Sequence, residues 1–253
     1  MIFIKVNIVN IFLLFLFVQI YSTDGQTGYT QRCTCIKESA TGYFCAEQSC
    51  NIQYQYKKCF SGRSTVRTRD GKDISLSNIQ IGQEVLVSNR NKLIFQPIYD
   101  IIHRENTKFY TFIHLTIFNH YENSTQSIEI SSKHLIFKYG LLDPIFASEI
   151  QIGDHLQLVN QFEIIPGKVI HIDEIISQGY CAPLTFSGTI VVNNLVSSNY
   201  AEVRNHHLAH LAMQPYRWWR NTFGPTQTIQ TDLNWYISIL YNFANKTGFL
   251  HIL

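Results

Sequence analysis

From residue 59 onward, apolar and polar positions alternate in short bursts. Glu84-Val85-Leu86-Val87, Phe109-Tyr110-Thr111-Phe112-Ile113, Ser127-Ile128-Glu129-Ile130 and Thr189-Ile190-Val191-Val192 are of this kind. A period of two turns one face of a strand to a core, and runs rich in Ile, Val, Phe and Tyr suit a pleated surface. Turn-forming stretches such as Asn89-Arg90-Asn91 separate the bursts, so the pattern predicts an all-β domain of many short strands. One stretch recurs. Ser77-Asn78-Ile79-Gln80-Ile81-Gly82-Gln83-Glu84-Val85-Leu86-Val87 returns 71 residues later as Ser148-Glu149-Ile150-Gln151-Ile152-Gly153-Asp154-His155-Leu156-Gln157-Leu158, with five identical positions. Ile98 and Ile101 match Val169 and Ile172 at the same offset. That period is too long for a solenoid. It predicts a duplicated β-subdomain folded into one pseudo-symmetric body, with Ile-Gly-polar as the turn that feeds a strand in each copy.

The two ends break the alternation. Lys5 precedes the apolar run Ile11-Phe12-Leu13-Leu14-Phe15-Leu16-Phe17-Val18, and polar Asp24-Gly25-Gln26 follow. A cationic start with a short apolar run predicts a secretory signal peptide over residues 1–22, cleaved between Ser22 and Gly25. A membrane anchor needs about 20 apolar residues, and Lys5, Asn7 and Asn10 interrupt the stretch too early. At the other end, Leu233, Tyr236, Ile237, Leu240 and Phe243 recur at helical spacing. They predict an aromatic-rich amphipathic helix, either packed on its own domain or turned to a lipid surface.

Composition agrees with a well-packed, secreted chain. Of 253 residues, 45% are hydrophobic and 15% charged, and the formal net charge is +2. Without a basic run or an aromatic-basic cluster, nucleic acid is not an expected partner. Cys33, Cys35, Cys45 and Cys50 are four of six cysteines. In an oxidising compartment they read as two disulfides, with three pairings open. Their spacing is poor for zinc, no histidine is near, and no metal or cofactor is expected. Asn123-Ser124-Thr125 and Asn245-Lys246-Thr247 are glycosylation acceptors for that compartment. Residues 23–58 are too few to build a core without cross-links, so a small stapled module is expected there.

Chemistry enters at Cys59-Phe60-Ser61-Gly62 and at Ser131-Ser132-Lys133-His134. A hydroxyl three residues before a histidine can sit beside it around a tight turn, and the pair can hold one peptide bond from both ends. Together with Ile79-x-Ile81-Gly82, Ala182-Pro183-Leu184-Thr185-x-x-Gly188-Thr189-Ile190-Val191-Val192-Asn193, Tyr200-Ala201, Leu208-Ala209-His210 and Pro215-x-Arg217, in this order, they carry a specific resemblance. The chain from Lys57 to about Gly248 resembles the C-terminal autoprocessing (Hog) domain of hedgehog proteins, in the Hint superfamily shared with inteins.

The resemblance implies a Hint domain over residues 59–220 and an adduct-recognition tail over 221–253, with Trp235, Tyr236 and Leu240 as its recognition residues. It implies self-cleavage at Lys58–Cys59: Cys59 performs an N-to-S acyl shift, His134 protonates the leaving amine, and Ser131, where the family has threonine, polarises the carbonyl. A sterol-like alcohol, as co-substrate rather than cofactor, then takes the acyl group. The tail implies membrane or lipid contact. His103 stands where the family has the aspartate base of that second step, and Lys58 where it has glycine. Asn199 replaces a second family cysteine, and Cys181 reads as a buried small hydrophobe. Water as acceptor, or an unreactive scaffold carrying the cysteine-rich module, are the alternatives. Splicing is not expected, since Asn194 follows Asn193.

Overall fold

The computed structural model describes residues 60–201 and 203–224 in full, and the strand pairing of 29–38 with 45–54. The expected signal peptide, the Lys58–Cys59 bond and everything beyond Gly224 lie outside the described residues, and so do the side chains of Cys33, Cys35, Cys45 and Cys50. In the N-terminal module β1 (Tyr29–Glu38) pairs antiparallel with β2 (Cys45–Tyr54), Cys33 opposite Cys50.

The rest is strand after strand, as the alternation predicts. β3 (Phe60–Ser61), β4 (Thr65–Arg67), β5 (Asp73–Ser75), β6 (Glu84–Asn89) and β7 (Lys92–Asn119) come first. Then follow β8 (Ser124–Ile130), β9 (His134–Ile136), β10 (Ile145–Phe146), β11 (His155–Asn160), β12 (Glu163–Thr185), β13 (Thr189–Val192) and β14 (Leu195–Ala201). Ten strands join in one network, in the order β10-β9-β14-β11-β12-β3-β8-β7-β6, with β13 on β14 and a further pairing of β12 with β7. β7 and β12 are the long members. They run side by side from Phe118 opposite Lys168 to Ile98 opposite Thr185, and the register shifts between Gln178 and Tyr180 and between Cys181 and Pro183. Such irregularities bend a strand and let it serve two sides of a body.

The repeat is a structural repeat. Gly82 (φ +88°) donates to the Ile98 carbonyl at 2.7 Å, and Gly153 (φ +96°) donates to the Val169 carbonyl at 2.8 Å. Ile98 returns a bond to Gln83 as Val169 does to Asp154. Both turns need a left-handed residue, which glycine adopts without a Cβ clash. Each feeds a hairpin, β6–β7 and β11–β12. Ile79, Val85, Val87 and Ile98 of one copy and Ile150, Leu156, Leu158 and Val169 of the other meet in a single core. Ile152 departs from its counterpart Ile81: it is exposed, whereas Ile81 packs against the core.

Two helices close the described region. In α1 (His206–Ala212) the Asn205 side chain caps the first turn by accepting from Leu208 N–H at 2.9 Å. α2 (Gln214–Phe223) carries Pro215 in its first turn, where the missing N–H costs nothing. Arg220 of α2 pairs with Asp100 of β7 at 3.1 Å and donates to the Tyr99 carbonyl, while the Tyr216 hydroxyl donates to the other Asp100 oxygen. The helix thus crosses the boundary expected at residues 220/221 and is fastened to the sheet. The helix expected around Leu233–Phe243 lies outside the described residues.

Candidate functional site

The site forms where β8 hands over to β9. After Ile130 the chain turns tightly, His134 N–H donating to the Ser131 carbonyl at 3.0 Å, and β9 begins at His134 itself. The spacing of three thus brings Ser131 and His134 into one turn, and both are buried (2% and 1% exposed). Phe60 closes the turn from below, its ring centroid 4.2 Å from that of His134. Phe60 is held from both edges, by Ile130 of β8 and by Cys181 of β12, and Cys181 in turn faces Arg104 of β7. Arg104, Cys181, Phe60 and Ile130 therefore form one row across four strands.

Hydrogen bonding decides the state of His134. Its Nε2 lies 2.8 Å from the Ser198 carbonyl oxygen, which can only accept. Nε2 therefore carries the proton, and Nδ1 of the neutral ring is a bare acceptor. Burial pushes the imidazole pKa down to about 4, against the smaller opposing pull of the Ser198 carbonyl, so the ring is neutral near pH 7. Nδ1 of His134 and Oγ of Ser131 are both buried without a hydrogen-bond partner among the described residues. Each such atom costs on the order of 1–3 kcal/mol. Two in one turn suit a reacting group that they would serve.

The remaining expected residues fall at different distances from this turn. His103 sits half-buried on β7, one residue before Arg104 and so one step beyond the row that contains Phe60. The Arg104 guanidinium donates to the Ile79 carbonyl and lies beside Cys181. Cys181 is a free, buried thiol whose pKa burial raises to about 11, which keeps it protonated and unreactive. Asn199 is buried, its amide donating to the carbonyl and hydroxyl of Thr185. Asn123 occupies an exposed turn at φ +49°, open to modification. Cys59, Lys58, Trp235, Tyr236, Leu240 and Asn245 lie outside the described residues.

Sequence reasoning did not single out Ser198, whose carbonyl meets His134, or His206, whose ring meets the Ser198 hydroxyl. The one signal was polar Ser197-Ser198-Asn199 inside a strand whose every residue is buried. Among the described residues no three His, Cys, Asp or Glu side chains are grouped to hold a metal ion, and no helix is long and apolar enough to cross a membrane.

Comparison with known proteins shows the family of the chain. The family model described as the Hint module matches residues 45–247. Indian hedgehog B protein of Danio rerio is 31% identical over 197 residues, which is 72% of this chain and 47% of that protein. Protein hedgehog of Drosophila virilis is 26% identical over 208 residues, covering 72% and 42%. The chain spans about half the length of these curated relatives. Among solved structures, a bacterial intein-like domain from Clostridium thermocellum covers 56% of this chain and 99% of its own, at 17% identity and a TM-score of 0.47. A DnaB intein from Synechocystis covers 57% and 99%, at 15% identity and the same score.

Proposed function

This chain belongs to the Hint family and carries a Hint domain of the hedgehog type; from that premise we propose that it cleaves itself at Lys58–Cys59. The Cys59 thiol gives its proton to Nδ1 of His134, and the thiolate attacks the Lys58 carbonyl. The Ser131 hydroxyl donates to the developing oxyanion. His134 then passes the same proton to the leaving α-amine of Cys59, the C–N bond breaks, and a thioester joins Lys58 to the Cys59 sulfur. The observation that carries this reading is the turn in which Ser131 Oγ and His134 Nδ1 stand buried and without a hydrogen-bond partner among the described residues. Register supports it. Phe60 opposes Ile130 and Cys181, so one residue earlier the strands offer Ser131 on one side and Ala182 on the other, and His103 lies in the irregular stretch of β7 that faces Ala182.

In the second step a sterol-like alcohol takes the acyl group, His103 acting as base, and releases residues 23–58 as an ester. Trp235, Tyr236 and Leu240 of the 221–253 tail recognise the lipid, and the products belong to the secretory pathway after loss of residues 1–22. The absence of a carboxylate at His103 favours a second reading of this step alone, in which water is the acceptor. Hydroxylamine or a thiol should split purified precursor into two pieces, and Cys59→Ala should abolish the split. Equal cleavage of the variant excludes the mechanism. Intact mass of the N-terminal piece distinguishes an ester from the free acid.

A further inference from the structure

His134 is held through a backbone carbonyl, and what holds that carbonyl lies outside the reacting turn. β14 pairs with β9 at Ser197 opposite Ile136 and at Ala201 opposite His134, but the ladder is irregular between them. The Ser198 carbonyl falls in this gap and takes the His134 imidazole in place of a backbone amide. The Ser198 side chain is fixed from two directions. Its oxygen accepts Tyr200 N–H at 2.9 Å and lies 3.0 Å from Nδ1 of His206. Among the described residues the hydroxyl meets no other acceptor, so its hydrogen goes to His206 Nδ1.

His206 itself is buried on the first turn of α1. It packs against Phe137 at 5.5 Å and Tyr200 at 5.6 Å, and its ring lies parallel to His210 at 6.0 Å. Burial keeps the ring neutral, as an acceptor for Ser198 must be at Nδ1. His210 is likewise engaged, its Nδ1 facing both Arg217 and the Tyr200 hydroxyl. Since Arg217 can only donate, His210 keeps its proton on Nε2, a tautomer that cannot present Nε2 to a metal ion. His206, His207 and His210 line a cavity of about 660 Å³ together with Phe137 and Val196.

We propose that His206 is a positioning residue, which orients the catalytic His134 through Ser198 and ties that orientation to helix α1 and the cavity it lines. The proposal rests on His134 being the proton carrier of the acyl shift. The Ser198 hydroxyl, pinned by His206, keeps the irregular stretch of β14 in the one geometry that aims its carbonyl at Nε2. Outer partners of this kind fix a histidine's tautomer and ring orientation. A ligand or a helix movement that displaces His206 would slow proton transfer without touching the reacting atoms.

The test separates orientation from cleavage. In the full chain with Cys59→Ala, ring ¹⁵N spectra near pH 7 should show His134 as the Nε2–H tautomer. Adding His206→Ala should convert it to a mixture. Asparagine places an acceptor where Nδ1 stood, so His206→Asn should restore the single tautomer, and exposed His207→Ala should leave it unchanged. With Cys59 present, His206→Ala should slow hydroxylamine cleavage about 10-fold. Ser198→Ala should slow it similarly, and the double variant should be no slower than either single one. An unchanged tautomer in His206→Ala, or additive losses in the double variant, overturns the proposal. If His206→Ala does not fold, His206→Asn and Ser198→Ala carry the comparison. The tautomer is read without any cleavage, so failure of the self-cleavage mechanism leaves this result independently legible.

Discussion

Ser131 places a hydroxyl in a buried turn with nothing among the described residues to bond. A serine kept for stability would be hydrogen-bonded, and deleting it would cost about 1 kcal/mol. Here Ser131→Ala should leave the denaturant midpoint unchanged or raise it slightly, because an unsatisfied oxygen is removed. It should still slow thioester formation about 100-fold, the usual cost of one oxyanion donor. Single-turnover cleavage and a urea titration on the same protein check both halves. A large stability loss with no loss of rate would make Ser131 structural. That Ser131 and His134 share one turn was legible in the sequence, because three residues of turn bring them together, a relation that spacing alone expresses. Ser198 and His206 were not, because the contact to His134 spans 64 residues and runs through a carbonyl that every residue possesses.

At the scale of elements, the hairpins of the duplicated unit were readable because their glycines and apolar positions recur at a fixed offset. The helices α1 and α2 were not. A run of seven residues and one of ten span only about two and three turns, too few for a 3.6-residue period to be told from short apolar runs. What holds α2 is tertiary: Arg220 is buried against Asp100, with Tyr216 and the Tyr99 carbonyl completing the set. Removing one partner of a buried ion pair strands the other charge and costs about 3 kcal/mol. Arg220→Ala should therefore speed amide hydrogen exchange in α2 by about 100-fold. The β6–β7 and β11–β12 amides, which do not depend on this pair, should change much less. Equal acceleration in all three would mean that the pair supports the sheet as a whole and not the helix alone.

Across the whole molecule, the pseudo-symmetric all-β body was foreseen, but the length of β7 and β12 was not. These strands are buried on changing faces and shifted in register, so their sequences read as several short runs instead of two long ones. The same dense packing carries three neutral imidazoles. Burial lowers His134 and His206 to about 4 and His210 to about 3, with the Arg217 charge adding to the effect at His210 and His206. The unfolded chain takes up a proton at each near pH 6.5, whereas the folded protein does not until far lower pH. Above pH 6.5 both states are unprotonated at these sites and stability does not depend on them. As pH falls below 6.5 the unfolded state binds more protons, so stability is lost, by up to about 1.4 kcal/mol per pH unit for each ring. The stability lent by carboxylates held low by partners, such as Asp154 beside Lys138 and Glu149 beside Arg204, is fully present above their unfolded pKa values and starts to be lost only as pH falls below about 4.5. Urea midpoints of the Cys59→Ala chain should thus be level from pH 8 to 7 and fall steeply between pH 6 and 5. His206→Asn, which removes one of the three rings, should make that fall about one third shallower. A midpoint that stays level down to pH 5 would mean that these histidines are protonated in the folded protein, and His134 would then enter the reaction as an acid rather than as a base.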